Sequence, residues 1–177
     1  MKKIKNEIWE WIKTIGTPII LFLIINTFFF TPVVVDGASM MPTLEDHDRI
    51  ILSKIEEPKR FDIVVFHATE EKDYIKRVIG LPGDQIEYKN DTLYINGQVF
   101  EENYLDGTKT EQSLNRYGGL LTTDFSVTVP EGCLFVMGDN RRNSQDSRHI
   151  GAIPMGKVVG VSKIIFWPIK DIEIVNR

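Results

Sequence analysis

Apolar positions are spread unevenly along this chain. From residue 14 to residue 32 no side chain is charged and most are hydrophobic, with Ile19-Ile20-Leu21-Phe22-Leu23-Ile24-Ile25 at the centre and Phe28-Phe29-Phe30 near the end. As an α-helix this run rises about 28 Å, roughly the thickness of a bilayer's hydrocarbon core. A helix that is apolar all round needs lipid or a large protein to hide in, so the run predicts a membrane anchor over 14–32. Lys2, Lys3, Lys5 and Lys13 cluster before it against Glu7 and Glu10. That bias predicts a cytoplasmic tail over 1–13 and an extracytoplasmic remainder over 33–177. Trp9 and Trp11 fall where an interfacial aromatic belt would lie, and Pro18 falls in the first turn. The rival reading is a cleaved secretory signal ending near Val35-Asp36-Gly37; the three phenylalanines, Pro32 and Asp36 crowding that site argue against it.

Past Asp36 the pattern shortens. Ile50-Ile51-Leu52, Ile63-Val64-Val65-Phe66, Tyr74 to Ile79 and Gln85 to Tyr88 are β-branched or aromatic runs separated by Pro, Gly or charge. Residues 92–100 read as a hairpin, because Asn96-Gly97 supplies the positive φ of a type I′ turn. Residues 101–124 are polar without a clean period, and an excursion from the main domain is expected over about 85–124. Strands resume at 125–129, 133–137 and 157–167. The predicted fold is mostly β: an antiparallel-sheet domain preceded by one N-terminal transmembrane helix.

The chain has 177 residues, 42% of them hydrophobic and 26% charged, and carries a formal charge of −4 at pH 7. With the basic residues of the tail set aside, the remaining domain is acidic, which argues against a nucleic-acid partner. Cys133 is the only cysteine, so no intrachain disulfide can form. It lies in the apolar run 133–137, where it reads as a small buried hydrophobe.

Three polar stretches interrupt these patterns. Gly37-Ala38-Ser39-Met40-Met41-Pro42-Thr43-Leu44 puts a small hydroxyl just past the membrane exit, and Ser39 is the candidate nucleophile. A nucleophilic serine needs a base. His47, His67 and His149 each lie in a stretch that does not look built for a site. Lys76, inside Tyr74-Ile75-Lys76-Arg77-Val78-Ile79, is the better candidate, because alternation puts it on one face with Tyr74 and Val78 while Arg77 points away with Ile75 and Ile79. Desolvating a lysine lowers its pKa. Moving it from about 10.4 to about 7–8 costs about 4 kcal/mol. The third stretch, 138–148, is Gly-Asp-Asn-Arg-Arg-Asn-Ser-Gln-Asp-Ser-Arg. The pattern argues against a calcium loop there, since Arg141 replaces a required acceptor, Ser144 stands where glycine is needed and no glutamate closes the set. A hydrogen-bonded scaffold around a buried base is the alternative to a solvated loop.

Together, Ser-Met-Met-Pro-Thr-Leu at 39–44, Tyr-Ile-Lys-Arg-Val-Ile-Gly-Leu-Pro-Gly-Asp at 74–84 and the third stretch resemble the three boxes of the bacterial type I signal peptidases, membrane-bound Ser/Lys-dyad proteases. The order of the boxes, their position after one anchor and the short length resemble the Gram-positive subtype. The resemblance implies Ser39 as nucleophile, Lys76 as general base and no cofactor or metal. It implies Ser144 orienting the lysine amine, with Asp146–Arg148 and Asp139–Arg77 as supporting ion pairs. It also implies signal peptides of secretory preproteins as substrates, cleaved after small residues at Ala-x-Ala-like sites beside the bilayer and the secretion translocase. Met40 is expected to wall a substrate pocket, Met40 and Met41 to meet the lipid surface, and Phe166 and Trp167 either to join them there or to pack in the core. One departure stands out. Some family members carry an oxyanion-hole serine two residues before the nucleophile; Gly37 occupies that position here, which leaves the Ser39 N–H as the surer donor. Self-cleaving Ser–Lys regulators resemble the family in fold but carry a DNA-binding head where this chain has an apolar run. A silent relative would lack Ser39 or Lys76, and a simple anchored binding module would not need all three stretches.

Overall fold

A computed structural model of the chain describes residues 2–105, 120–168 and 173–174. Helix α1 spans Lys2–Phe29 and runs directly into strand β1, Phe30–Val34. The expected anchor over 14–32 is thus redrawn. The helix begins within the stretch assigned to the tail, and its last apolar residues, from Phe30 on, belong to a sheet. Among the described residues no helix is long and apolar enough to cross a membrane; Glu10 and Lys13 bring charge into the first half of α1. Even so, Ile12, Ile15, Ile19, Ile20, Leu21, Phe22 and Phe28 are all more than half exposed.

The rest is antiparallel sheet. Strands β2 (Arg49–Ser53), β3 (Ile63–His67), β4 (Asp73–Gly80), β9 (Cys133–Met137), β10 (Ile153–Pro154), β11 (Val158–Trp167) and β12 (Glu173–Ile174) join β1 in an eight-stranded sheet. Its order is β1-β2-β11-β3-β4-β9-β10, with β12 pairing β11. Strands β5 (Gln85–Lys89), β6 (Thr92–Ile95), β7 (Gln98–Phe100) and β8 (Phe125–Thr128) form a second sheet, ordered β7-β6-β5-β8. The segment read as an excursion is therefore largely a sheet of its own, closed by β8. Asn96 and Gly97 take φ of 53° and 77°, the positive values a type I′ hairpin turn demands. Most of 101–124 lies outside the described residues; its described start holds a 3₁₀ turn at Asn103–Leu105.

β1 was hidden in the sequence because its Phe-Thr-Pro-Val-Val simply prolongs the apolar run. In the fold it alternates exposed and half-buried positions on a sheet edge, where Pro32 costs no interior ladder bond. Buried side chains gather in three clusters. Val35, Met40, Leu44, Ile50, Leu52, Ile63, Val65 and Ile165 form one. Ile79, Phe135 and Met137 of the large sheet meet Ile86, Tyr88, Leu93 and Ile95 of the small one in another. Val64, Phe66, Val78, Leu134, Val136 and Val161 form the third. Each fully buried aliphatic side chain contributes about 1.5–3 kcal/mol relative to exposure.

Candidate active site

The segment that carries Ser39 links β1 to β2 and is held at both ends by the core. Met40 and Leu44 are buried in the first cluster. The Leu44 N–H donates to Met40 O at 3.0 Å, Val35 N–H to Asp48 O at 2.8 Å and His47 N–H to Val35 O at 2.9 Å. The Gly37 N–H donates to the Asp46 carboxylate at 2.8 Å, and Gly37 takes a φ of 92°, which disfavours a side chain there. Apolar anchors below and backbone bonds across leave Ser39 half-buried at a fixed height above the sheet.

Lys76 arrives from β4. The strand pairs with β3 along its whole described ladder, Val64 opposite Lys76, but meets β9 only from Arg77 onward. Residues 73–76 thus border an open edge on that side. Lys76 is only 3% exposed, yet its Nζ lies 2.8 Å from Ser39 Oγ and 2.8 Å from Ile75 O, with the Tyr74 ring centroid 5.2 Å away. Burial lowers its pKa from 10.5 to about 8, while Asp146 and Asp139 pull it back upward. From about pH 8 upward a large share of the amine is therefore neutral and can accept a proton.

Two ion pairs surround the amine. Arg77 Nε and Nη2 reach Asp139 Oδ1 and Oδ2 at 2.9 and 2.7 Å, a bidentate pair with no exposed side-chain surface. Thr43 Oγ1 donates to the same carboxylate at 2.6 Å and so ties the nucleophile segment to it. Arg148 Nε and Nη2 grip Asp146 at 2.8 Å each, and the Gly138 N–H adds a bond at 3.0 Å. Burial alone would raise the Asp146 pKa, but Arg148 and the Gly138 N–H hold it below the usual carboxylate range. Gly138 is required by closeness, because a Cβ there would collide with Ser144 Oγ and with the Ser39 carbonyl oxygen.

Residues 8–167 match the family described as signal peptidase, peptidase S26. The chain belongs to that family. It is 46% identical to a signal peptidase I of Bacillus amyloliquefaciens over 98% of this chain and 92% of that protein. It is 44% identical to signal peptidase I S of Bacillus subtilis (strain 168), over 97% and 96%. It also resembles the crystal structure of a signal peptidase I from Enterococcus faecalis V583, with a TM-score of 0.56 and 42% identity over 60% of this chain and 97% of that one.

In this signal peptidase chain the three histidines stand apart from Ser39. His47 lies beside Asp46 at 3.4 Å, His67 Nδ1 meets Asp73 at 2.6 Å and His149 Nδ1 is 3.9 Å from Asp146; all three are exposed. Ser144, expected to orient the lysine amine, sits against Gly138 and Asp146. Its buried Oγ faces Asp146 without a bond of good geometry, and the second contact of the Lys76 amine is the Ile75 carbonyl. Met40 reaches the cleft beside Ser39, but only 1% of it is exposed, which removes it from the lipid-facing set; Met41 and Trp167 are exposed. That cleft, about 210 Å³, runs between Val33–Gly37 and Asp73–Lys76.

Two groups went unread in the sequence. Arg141 was seen only as part of a polar stretch. It is 2% exposed and bonds Glu102 Oε1 at 2.5 Å, the Tyr88 hydroxyl at 2.7 Å and Gly138 O at 3.1 Å. It thereby locks the small sheet to the third stretch. Asn140 bonds the nucleophile segment twice, at Ser39 O and at Ala38 O. The available signal was chemical: an arginine that has to be buried needs an acid, and Glu102 carries no motif of its own.

Proposed function

We propose that Ser39 and Lys76 form the catalytic dyad of a peptidase that removes signal peptides from preproteins by acyl transfer. Membership of the signal peptidase family makes the chain a peptidase of exported preproteins; the dyad is the reading its geometry supports best. The observation that carries it is the 2.8 Å contact between a hydroxyl and the amine of a lysine that is only 3% exposed and holds its proton only up to about pH 8.

Neutral Lys76 takes the Ser39 proton as Oγ attacks the carbonyl carbon of the small residue at the cleavage site. Charge gathers on the carbonyl oxygen, where the Ser39 N–H meets it. Collapse breaks the C–N bond, and the Lys76 ammonium delivers the proton to the departing amine, leaving an ester on Ser39. Lys76, neutral again, takes a proton from water as the water oxygen attacks the ester. The C–Oγ bond then breaks, and the proton returns to Oγ while the signal peptide leaves as a free acid. Arg77–Asp139 and Asp146–Arg148 hold the amine in place. Met40 walls the cleft, whose narrowness favours small side chains of the Ala-x-Ala kind.

The exposed apolar side chains along α1 support a role as anchor, since so much exposed hydrophobic surface needs lipid to cover it. The lysines at its start favour a cytoplasmic N-terminus, with the catalytic domain outside, near the translocase that delivers preproteins. Exposed Met41 and Trp167 suit contact with the bilayer surface. In detergent, with a preprotein as substrate, Ser39→Ala and Lys76→Ala should each lower processing by at least about a thousandfold while leaving the melting temperature in place or higher. A Lys76→Ala protein that cleaves at the wild-type rate ends the reading. Wild-type activity should rise through a limb near pH 8; a flat profile from pH 6 to 10 counts equally against it.

A further inference from the structure

We infer that Asn140 is a positioning residue that orients and polarises the oxyanion-binding N–H of Ser39; the inference rests on Ser39 as nucleophile. Asn140 holds the nucleophile segment with two bonds of different kinds. Its backbone N–H donates to Ser39 O at 3.0 Å, and its side-chain Nδ2 donates to Ala38 O at 3.0 Å. The second bond matters because Ala38 C=O and Ser39 N–H belong to one planar peptide unit and point in opposite directions. Fixing the oxygen fixes the direction of the N–H. A donor on the oxygen also draws charge through the amide, which strengthens the N–H at the far end.

Nothing else on the segment can do this as well. The Met41 N–H also reaches Ala38 O, but at 3.3 Å, and it belongs to the same segment as the group to be fixed. The Gly37 N–H is already committed to Asp46, and Gly37 has no side chain to supply a second donor. The Ser39 N–H, by contrast, has no hydrogen-bond partner among the described residues. A lone donor has no neighbour to compensate for a tilt, so its aim decides how much of the developing charge it neutralises. The bond comes from the third stretch, whose residues Asp139 and Asp146 set the field at Lys76. One loop thus serves both ends of the reaction, the base and the oxyanion.

The test replaces Asn140 by leucine, which keeps the shape and removes the donor; the backbone bond to Ser39 O survives the change. For full-length protein in detergent acting on a preprotein-derived peptide, Asn140→Leu should lower kcat about ten- to a hundredfold. KM should stay within about twofold, and the activity limb near pH 8 should not move. Asn140→Ala, which places no apolar branch in the site, should give the same division between kcat and KM. Wild-type kcat in either variant overturns the inference. So does a loss carried by KM, or by a displaced limb, since either would mean that Asn140 supports the cleft or the base. Ser39→Ala is assayed alongside: if it still cleaves, the nucleophile assignment has failed; if it is inactive while Asn140→Leu is normal, only the present inference has.

Discussion

Arg141 and Lys76 both lie buried in this domain, and their surroundings give them opposite chemistry. Arg141 is 2% exposed and Lys76 is 3% exposed. Arg141 faces a carboxylate, two tyrosine hydroxyls and a carbonyl, and those partners hold its pKa well above the ordinary value despite the desolvation that would lower it. Lys76 touches only a hydroxyl and a carbonyl, both neutral, and its pKa falls to about 8. Burial is common to both. What separates them is whether an anion sits in contact or only at a distance, and that choice makes one side chain a rivet and the other a base.

The comparison breaks most visibly if the rivet is loosened. Glu102→Ala leaves Arg141 charged and buried among tyrosines, and losing one member of a buried pair costs about 3–5 kcal/mol. Thermal unfolding should show the loss at neutral pH, and activity should fall only as the folded fraction falls. The Glu102 pKa is lowered: burial would raise it, but Arg141 more than offsets that. Its stabilising share is therefore present above the ordinary carboxylate range and lost as pH falls through its folded value, so the variant's deficit should shrink in acid. An unchanged melting temperature at pH 7 would mean that Arg141 is already solvated in solution.

Loosening the base should do the reverse. Lys76→Met removes a cation that the fold disfavours, so the inactive protein should be more stable than the wild type at pH 7, by up to about 3 kcal/mol. The sign follows from linkage. Between pH 8 and 10.5 the unfolded chain still holds the lysine proton while the folded chain has released it, so wild-type stability climbs across that window. The advantage of the variant should be full below pH 8 and gone above 10.5. Denaturant melts at pH 7 and pH 10.5 decide it; a variant less stable at pH 7 would show that the amine is not strained by its burial.

These distinctions explain what could be read from the sequence. Ser39, Lys76, Asp139, Asp146 and Arg148 lie in three short stretches that stand out as polar interruptions of an apolar pattern, and the fold brings the three together. The Asn-Gly hairpin was legible because one backbone geometry demands it. Glu102 was not, since nothing local to residues 101–105 says that Arg141 lies on top of it. Asn140 was unread for a related reason: its target is a backbone carbonyl, which has no letter in the sequence. β1 was masked by the helix before it, because an apolar run does not announce where its period changes from 3.6 to 2.

A smaller effect sharpens the comparison from the other side, by changing the field at Lys76 without touching it. Asp146 is the stronger of the two carboxylates that raise the lysine pKa against desolvation. It is ionised throughout the active range, because Arg148 and the Gly138 N–H hold it below the usual carboxylate values although burial opposes them. Asp146→Asn deletes that negative charge and leaves the Arg148 guanidinium without its partner, and both changes disfavour a second cation nearby. The activity limb near pH 8 should therefore move toward lower pH, while the plateau falls because a weaker base removes the serine proton less readily. The measurement is kcat against pH for both proteins, taken at temperatures where each is fully folded. A limb that stays in place would mean that distant carboxylates do not set the amine's proton affinity. A limb displaced to higher pH would mean that the asparagine has let water reach the amine, and that desolvation at this site depends on the very ion pair that opposes it.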